Sequence, residues 1–232
     1  MSMKLVLLPG MDGTGELFAE FVKALPNEFE TVTVRYPAIV FLSYPELVET
    51  VRLSAPNTEP FVLVAESFST PLGIQFAAMA PANLRGLVLC AEFATSPVRG
   101  WRRSLCSLLS PVFLRLPLPK PAIEHLLVGR GAHPSLVSSV RVAVRSVRSR
   151  VLVARLRAIL ECDVRTELSK ISLPILYLKA KQDRLVNKSC LEEIRRVNPR
   201  TTVAEVSGPH LILQREPSQT AEVVARFVQG IA

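Results

Sequence analysis

FVLVAESFSTPLG, residues 61–73, passes from an unbroken Phe/Val/Leu run through an acid to two serines separated by one phenylalanine, then to a proline and a glycine. A short continuous apolar run of this kind reads as a strand buried on both faces. Pro71 falls where a following helix would have its first turn, and there a missing N–H costs little because no intrahelical carbonyl awaits it. The stretch therefore predicts a strand, a tight turn holding Ser67 and Ser69, and a helix.

The same alternation extends to both sides. Strand-like runs at 4–10 (KLVLLPG), 31–37 (TVTVRYP) and 84–94 (LRGLVLCAEFA) are separated by helical patterns at 17–25, 44–55 and 71–80. It resumes at 173–183 (LPILYLKAKQD), followed by a helix at 190–197, a strand at 201–208 and a closing helix at 217–232. Val/Leu-rich strands alternating with helices indicate the α/β class, a mostly parallel sheet of about six strands covered by helices on both faces. The opening MSMKLVLLPG reads as the first strand rather than a leader, because its apolar run is short and leads straight into a glycine-rich turn.

Between Pro97 and Lys170 the alternation stops. One core formed by 1–96 and 171–232, interrupted by a helical insertion at 97–170, is the expected organisation, since 232 residues suit a single domain with a modest insertion. Within the insertion, 134–160 places Val137, Val140, Val144, Val147 and Val151 at spacings of three and four, with Arg141, Arg145, Arg148 and Arg155 on another stripe. That pattern predicts one long amphipathic helix with a solvated arginine face. The charge is concentrated there: 97–170 carries fourteen Lys and Arg against four acids, a net +10, which leaves −2 for the remainder.

Several classes of function are disfavoured. There is no HExxH, CxxC or clustered Asp/His pattern for a metal, and PGMDGTG (9–15) has neither the Lys-Ser/Thr of a phosphate loop nor a dinucleotide G-x-G-x-x-G, so no metal and no cofactor are expected. The four cysteines, Cys90, Cys106, Cys162 and Cys190, are widely spaced and read as reduced thiols of a cytoplasmic protein. The basic segment lacks a nucleic-acid recognition motif or interleaved aromatics, and the most apolar stretches are broken by charges and prolines, so neither nucleic-acid binding nor a membrane span is expected.

In open parallel sheets the reactive groups stand at the carboxyl ends of the strands. After the first strand comes PGMDGTG, after the third AESFS (65–69), after the strand beyond the insertion KQD (181–183), and after the last strand GPH (208–210). A serine, an acid and a histidine thus occupy strand ends in the chain order Ser67, Asp183, His210. A serine hydroxyl needs a neighbouring imidazole to take its proton, and the imidazole needs a carboxylate to hold its tautomer. Glu92, after the strand GLVLCA, is an alternative acid, whereas Asp163 precedes a helix-like run and reads as a cap. His125 and His133 lie inside the insertion.

On these residues the chain resembles the α/β-hydrolase superfamily, in which a serine on a strand-to-helix elbow precedes its acid and then its histidine. The resemblance covers nearly the whole length, with the insertion where that superfamily carries its cap. It implies Ser67 as nucleophile, Asp183 as acid and His210 as base, with backbone N–H groups of Met11 and Phe68 as an oxyanion hole. The elbow departs from G-x-S-x-G: Ala65 and Ser69 stand at the glycine positions, the next smallest choices. Placing Ser69 at the turn instead would put Pro71 in the crowded position, so Ser67 is the expected nucleophile and Ser69 a residue that caps the helix or bonds the loop. The resemblance implies a cofactor-free carboxylesterase acting on small-molecule esters or thioesters, similar to small capped esterases that demethylate pimeloyl esters on acyl carrier protein. The Leu-, Phe-, Trp- and Pro-rich stretch 101–121 suits either a lid over an acyl pocket or plain packing. Arg141, Arg145 and Arg148 would dock an acyl carrier protein or coenzyme A. An acyltransferase or lyase on the same scaffold, and a binding protein with a relict triad, are the alternatives.

Overall fold

The computed structural model describes residues 3–98 and 119–231. Six strands, β1 (Lys4–Leu8), β2 (Glu30–Thr33), β3 (Phe61–Glu66), β4 (Leu84–Cys90), β5 (Ile175–Ala180) and β6 (Thr202–Val206), form one sheet in the order β2-β1-β3-β4-β5-β6. Every neighbouring pair is parallel. The helices are α1 (Ala19–Ala24), α2 (Tyr44–Ser54), α3 (Thr70–Ala78), α4 (Lys120–Ile123), α5 (Pro134–Arg145), α6 (Ser149–Glu161), α7 (Arg165–Lys170), α8 (Lys188–Val197), α9 (Ile212–Arg215) and α10 (Pro217–Gln229). No helix among the described residues is long and apolar enough to cross a membrane.

Alternate strand residues feed two separate cores, because successive side chains point to opposite faces. Val6, Leu8, Leu63, Ala65, Leu87 and Leu89 pack with α2, α3 and α8 on one face. Leu5, Leu7, Val62, Val64, Val88 and Leu178 pack with Phe21 of α1 and Val224 and Val228 of α10 on the other. Each such buried side chain stabilises by roughly 1.5–3 kcal/mol, so burial on both faces explains why these strands read as continuous apolar runs. Among the described residues Cys90, Cys162 and Cys190 form no disulfide, while Cys106 and most of 101–121 lie outside the described residues.

The chain runs from β1 to β2 on one side of the sheet and then returns to β3 on the other side of β1. Crossovers on either side of such a reversal leave a crevice at the carboxyl ends of β1 and β3. The turn after Leu8 and the turn after Glu66 therefore face each other.

The described part of the insertion is helical, but 134–160 is not one helix. It breaks at Ser146–Arg148 into α5 and α6. The Arg148 N–H donates to the Ala38 carbonyl (2.9 Å) instead of continuing the helical ladder, and the Arg148 backbone is extended (ψ 134°). Val147, Val151 and Leu152 pack beside Met11 and Ala38, which turns the chain toward the core. The second correction concerns Arg155: rather than sharing a solvated stripe, it is only 1% exposed. A period-3.6 pattern cannot distinguish a charge facing water from one facing buried carbonyls.

The turn at Ser67 needs close approach of α3 to β3. A Cβ added at Gly73 would sit 2.9 Å from the Ala65 Cβ and 3.3 Å from Leu87 Cδ1. Gly73→Ala gains about 1 kcal/mol of helix propensity but overpacks by about 1–3 kcal/mol. It is expected to lower Tm by a few degrees, and Ala65→Gly in the same chain should recover most of the loss, as thermal unfolding by circular dichroism will report.

Candidate active site

Ser67 begins a short 3-10 turn between β3 and α3 and has φ +50°. A non-glycine residue in the left-handed region costs on the order of 1–3 kcal/mol, and here it turns the serine away from the sheet plane. Its Oγ lies 2.9 Å from His210 Nε2. His210 Nδ1 lies 2.9 Å from Asp183 Oδ2. Asp183 Oδ1 accepts hydrogen bonds from the Leu185 and Val186 N–H groups, at 2.8 and 3.0 Å. Burial pushes the Asp183 carboxyl up, yet its bond and charge interaction with His210 and these two backbone donors prevail and hold it below the ordinary value. The loops that carry the pair are joined, since the Gln182 N–H donates to the Gly208 carbonyl (2.9 Å) and the Leu211 N–H to Leu127 in the insertion (2.9 Å).

Opposite Ser67 lies the turn after β1. Its carbonyls are all occupied: Pro9 by the Ser69 hydroxyl, Gly10 by the Gly13 N–H (3.0 Å) and Gly13 by the Tyr36 N–H (2.8 Å), Met11 and Asp12 by Arg155 Nη1 (2.8 and 3.0 Å). The Asp12 carboxylate accepts from the Thr14 N–H (2.9 Å) and hydroxyl. The Met11 N–H has no acceptor among the described residues. Phe68 lies in the first turn of its helical segment, where N–H groups have no intrahelical acceptor. Met11 lines the same cavity as Ser67 and Phe68 follows Ser67 in the chain, so both N–H groups lie on residues next to the serine.

Ser69 answers the question raised by the paired serines. It is fully buried, accepts from the Tyr36 hydroxyl (2.6 Å) and donates to the Pro9 carbonyl. It bonds the loop and does not face His210. Glu92 is buried with neither carboxyl oxygen paired among the described residues, and burial pushes its carboxyl well up; His210 meets Asp183 instead. Asp163 accepts from the Arg165 N–H (3.3 Å) just before α7, as a capping residue does. His133 caps α5 by accepting from Ser135, and His125 contacts Arg184 (2.8 Å).

A cavity of about 480 Å³ opens over Ser67 and His210, walled by Leu127, Val144, Leu152, Leu156 and Ile159, with Arg141 and Arg145 also in its wall. Arg148 is exposed at the α5–α6 break. Sequence reasoning missed Arg155, Tyr36, Asp12, Gln214 and the role of Glu66. Only the turn PGMDGTG carried a local signal, its Asp followed two residues on by Thr, which is the pattern of an Asx turn.

A parallel sheet with a serine on a strand-to-helix elbow after β3, a carboxylate after β5 and an imidazole after β6 is the arrangement of the α/β-hydrolase superfamily. Residues 43–207 match the model of the serine aminopeptidase S33 family (Hydrolase_4), and the chain belongs to that hydrolase family. It is 25% identical over 232 residues to the biotin biosynthesis bifunctional protein BioHC of Cellvibrio japonicus (strain Ueda107), covering 97% of this chain and 45% of that protein. The chain thus spans less than half the length of that relative. Among solved structures it is similar to a hydrolase from Oleispira antarctica (TM-score 0.82, 12% identity, 99% of this chain and 92% of that one). It is also similar to a thermophilic esterase from Thermogutta terrifontis (TM-score 0.77, 17% identity, 99% and 90%). It is likewise similar to the enol-lactonase from Burkholderia xenovorans LB400 (TM-score 0.76, 15% identity, 99% of this chain and 92% of that one). At these identities the structures speak for the fold alone.

Glu66, beside the nucleophile, is 2% exposed. Its Oε2 accepts from Gln214 Nε2 (3.2 Å), while its Oε1 and Gln214 Oε1 are unpaired among the described residues. Burial pushes the carboxyl up to about 7 from its ordinary 4.5. The native state therefore holds a proton that the unfolded chain releases between these values, and stability falls as pH rises through that window. Glu66→Gln removes the titration. At about 1.4 kcal/mol per unit, the stability of the variant relative to the parent should rise by up to about 3 kcal/mol between pH 4.5 and pH 8, as urea unfolding at the two pH values will show.

Proposed function

We propose that this protein is a serine hydrolase that cleaves carboxylic esters through an acyl-enzyme. The observation that carries this reading is the continuous chain Ser67 Oγ to His210 Nε2 (2.9 Å) and His210 Nδ1 to Asp183 Oδ2 (2.9 Å) at the floor of an apolar cavity. Ser67 Oγ attacks the ester carbonyl while its proton passes to His210 Nε2, and Asp183 stabilises the imidazolium. The Met11 and Phe68 N–H groups receive the developing oxyanion, each donor contributing on the order of 10²–10³ in rate. His210 then protonates the departing alkoxide, and water attacks the acyl-enzyme by the reverse proton path. The mostly aliphatic wall suits an acyl chain.

The substrate is an acyl group borne on an acidic carrier, either acyl carrier protein or coenzyme A, with a methyl ester of a pimeloyl type as the leading candidate. Two observations support this. Arg141 and Arg145 stand in the cavity wall with Arg148 nearby, and the BioHC protein, a biotin biosynthesis protein by its name, aligns along nearly the whole chain.

Fluorophosphonate labelling with peptide mapping tests the chemistry: the label should fall on Ser67, persist in Ser69→Ala if that variant folds, and vanish in Ser67→Ala. Ser67→Ala should also lower ester turnover by at least about 10⁴-fold. Labelling on Ser69 would refute the assignment and the Phe68 donor with it. Charge reversal of Arg141, Arg145 and Arg148 to Glu should raise KM for carrier-bound esters at least about tenfold more than KM for small activated esters, with a steep salt dependence for the carrier-bound ones. Salt-insensitive turnover of carrier substrates would exclude docking through these arginines.

A further inference from the structure

Among the described residues of the insertion Arg155 is the buried cation, and its hydrogen bonds go to main-chain carbonyls. From α6 its guanidinium reaches across the site to donate to the carbonyls of Met11 (2.8 Å), Asp12 (3.0 Å) and Pro37 (3.0 Å). It lies over the Tyr36 and Phe68 rings, 5.7 and 5.8 Å from their centroids. Among the described residues Arg155 makes no salt bridge; burial disfavours its charge, while the nearby Asp12 carboxylate favours it. A buried charge is tolerated when its hydrogen bonds are satisfied, and here main-chain oxygens supply that satisfaction. Gly13 has φ +68°, and a Cβ added there would come within 2.8 Å of Arg155 Nη1. Loop and guanidinium are therefore fitted to each other.

These contacts join three parts of the site. Met11 and Asp12 are the central residues of the turn closed by the bond from the Gly13 N–H to the Gly10 carbonyl (3.0 Å). Arg155 holds both of their carbonyls. With the central carbonyls held by Arg155 and that of Pro9 by Ser69, the peptides of the turn cannot rotate without breaking these hydrogen bonds, and the direction of the Met11 N–H is fixed with them. The Phe68 ring, on the residue that supplies the second donor, packs beneath the same guanidinium and stacks on Tyr44 (5.1 Å).

We propose that Arg155 is a positioning residue for the oxyanion hole, so that the inserted segment shapes the hole itself as well as walling the acyl cavity. This inference rests on the serine-hydrolase reading above. Arg155 touches no reacting atom; it acts through the Met11 and Asp12 peptides. Its removal should therefore weaken transition-state binding more than ground-state binding, because a donor displaced by about 1 Å loses on the order of 100-fold in rate.

The test compares Arg155→Lys and Arg155→Met with the parent on one activated ester, with kcat and KM measured separately, together with the inhibition constant of a boronic acid whose tetrahedral adduct places an oxygen in the hole. Arg155→Lys keeps the charge and most of the packing but offers a compact ammonium in place of a planar fork, and is the variant expected to fold. The expected result is a fall in kcat of at least about tenfold in Lys and more in Met, KM within about threefold, and boronate affinity weakened in parallel with kcat/KM. A folded Arg155→Lys with parental kcat and boronate affinity overturns the proposal, and so does a loss of thermal stability in Lys and Met without a kcat change. If the parent itself neither turns over an ester nor labels at Ser67, the hydrolase reading fails instead, and the two failures are distinct.

Discussion

The turn from Pro9 to Gly13 spends every one of its five carbonyls on a hydrogen bond, and the rest of the site depends on that constraint. Buried backbone oxygens must be paired; four of these five are paired from outside the turn, and the Met11 N–H is left without an acceptor among the described residues. The partners come from four places: the turn itself, the Ser69 hydroxyl on the strand-to-helix elbow, the Tyr36 N–H after β2, and Arg155 on α6. The loop opposite the serine is thereby tied to the elbow, to the sheet edge and to the insertion at once.

The elbow depends on the same economy of space. Ser67 adopts φ +50°, a conformation that persists only where surroundings determine it. Ala65 and Gly73 let β3 and α3 approach, and Ser69, at the second small position, turns its hydroxyl onto Pro9. A glycine there would meet the steric demand but would leave the Tyr36 hydroxyl and the Pro9 carbonyl without this partner. The departure from G-x-S-x-G thus has a structural use in this chain: the residue that replaces glycine also anchors the facing loop.

Charge in and around the site is arranged by depth. Asp183 is held ionised by His210 and two backbone donors despite burial. Glu66 and Glu92, deeper and with fewer partners, are pushed toward their neutral forms, because desolvation disfavours charge where no donor offsets it. The acid that contacts the imidazole is the one with two backbone donors, whereas Glu66 has a single amide donor and Glu92 none among the described residues. On the other side, Arg155 is sequestered among carbonyls while Arg141 and Arg145 reach the cavity wall, so arginines that look alike on one stripe do different work.

By itself the sequence determined the sheet, its parallel sense and the strand ends at which Ser67, Asp183 and His210 stand, because continuous Val/Leu runs, helix spacings and small residues around a turn are local signals. It also separated Ser67 from Ser69 through the position of Pro71. Only the tertiary structure decided that 134–160 breaks in two, that Arg155 points inward to Met11 and Asp12, and that Glu66 meets Gln214. Each of these is a contact between residues far apart in the chain: Arg148 leaves its helix for the Ala38 carbonyl, and Arg155 satisfies carbonyls 143 and 144 residues away. Periodicity reports which residues share a face of a helix, but what that face meets is settled by the packing of the whole molecule.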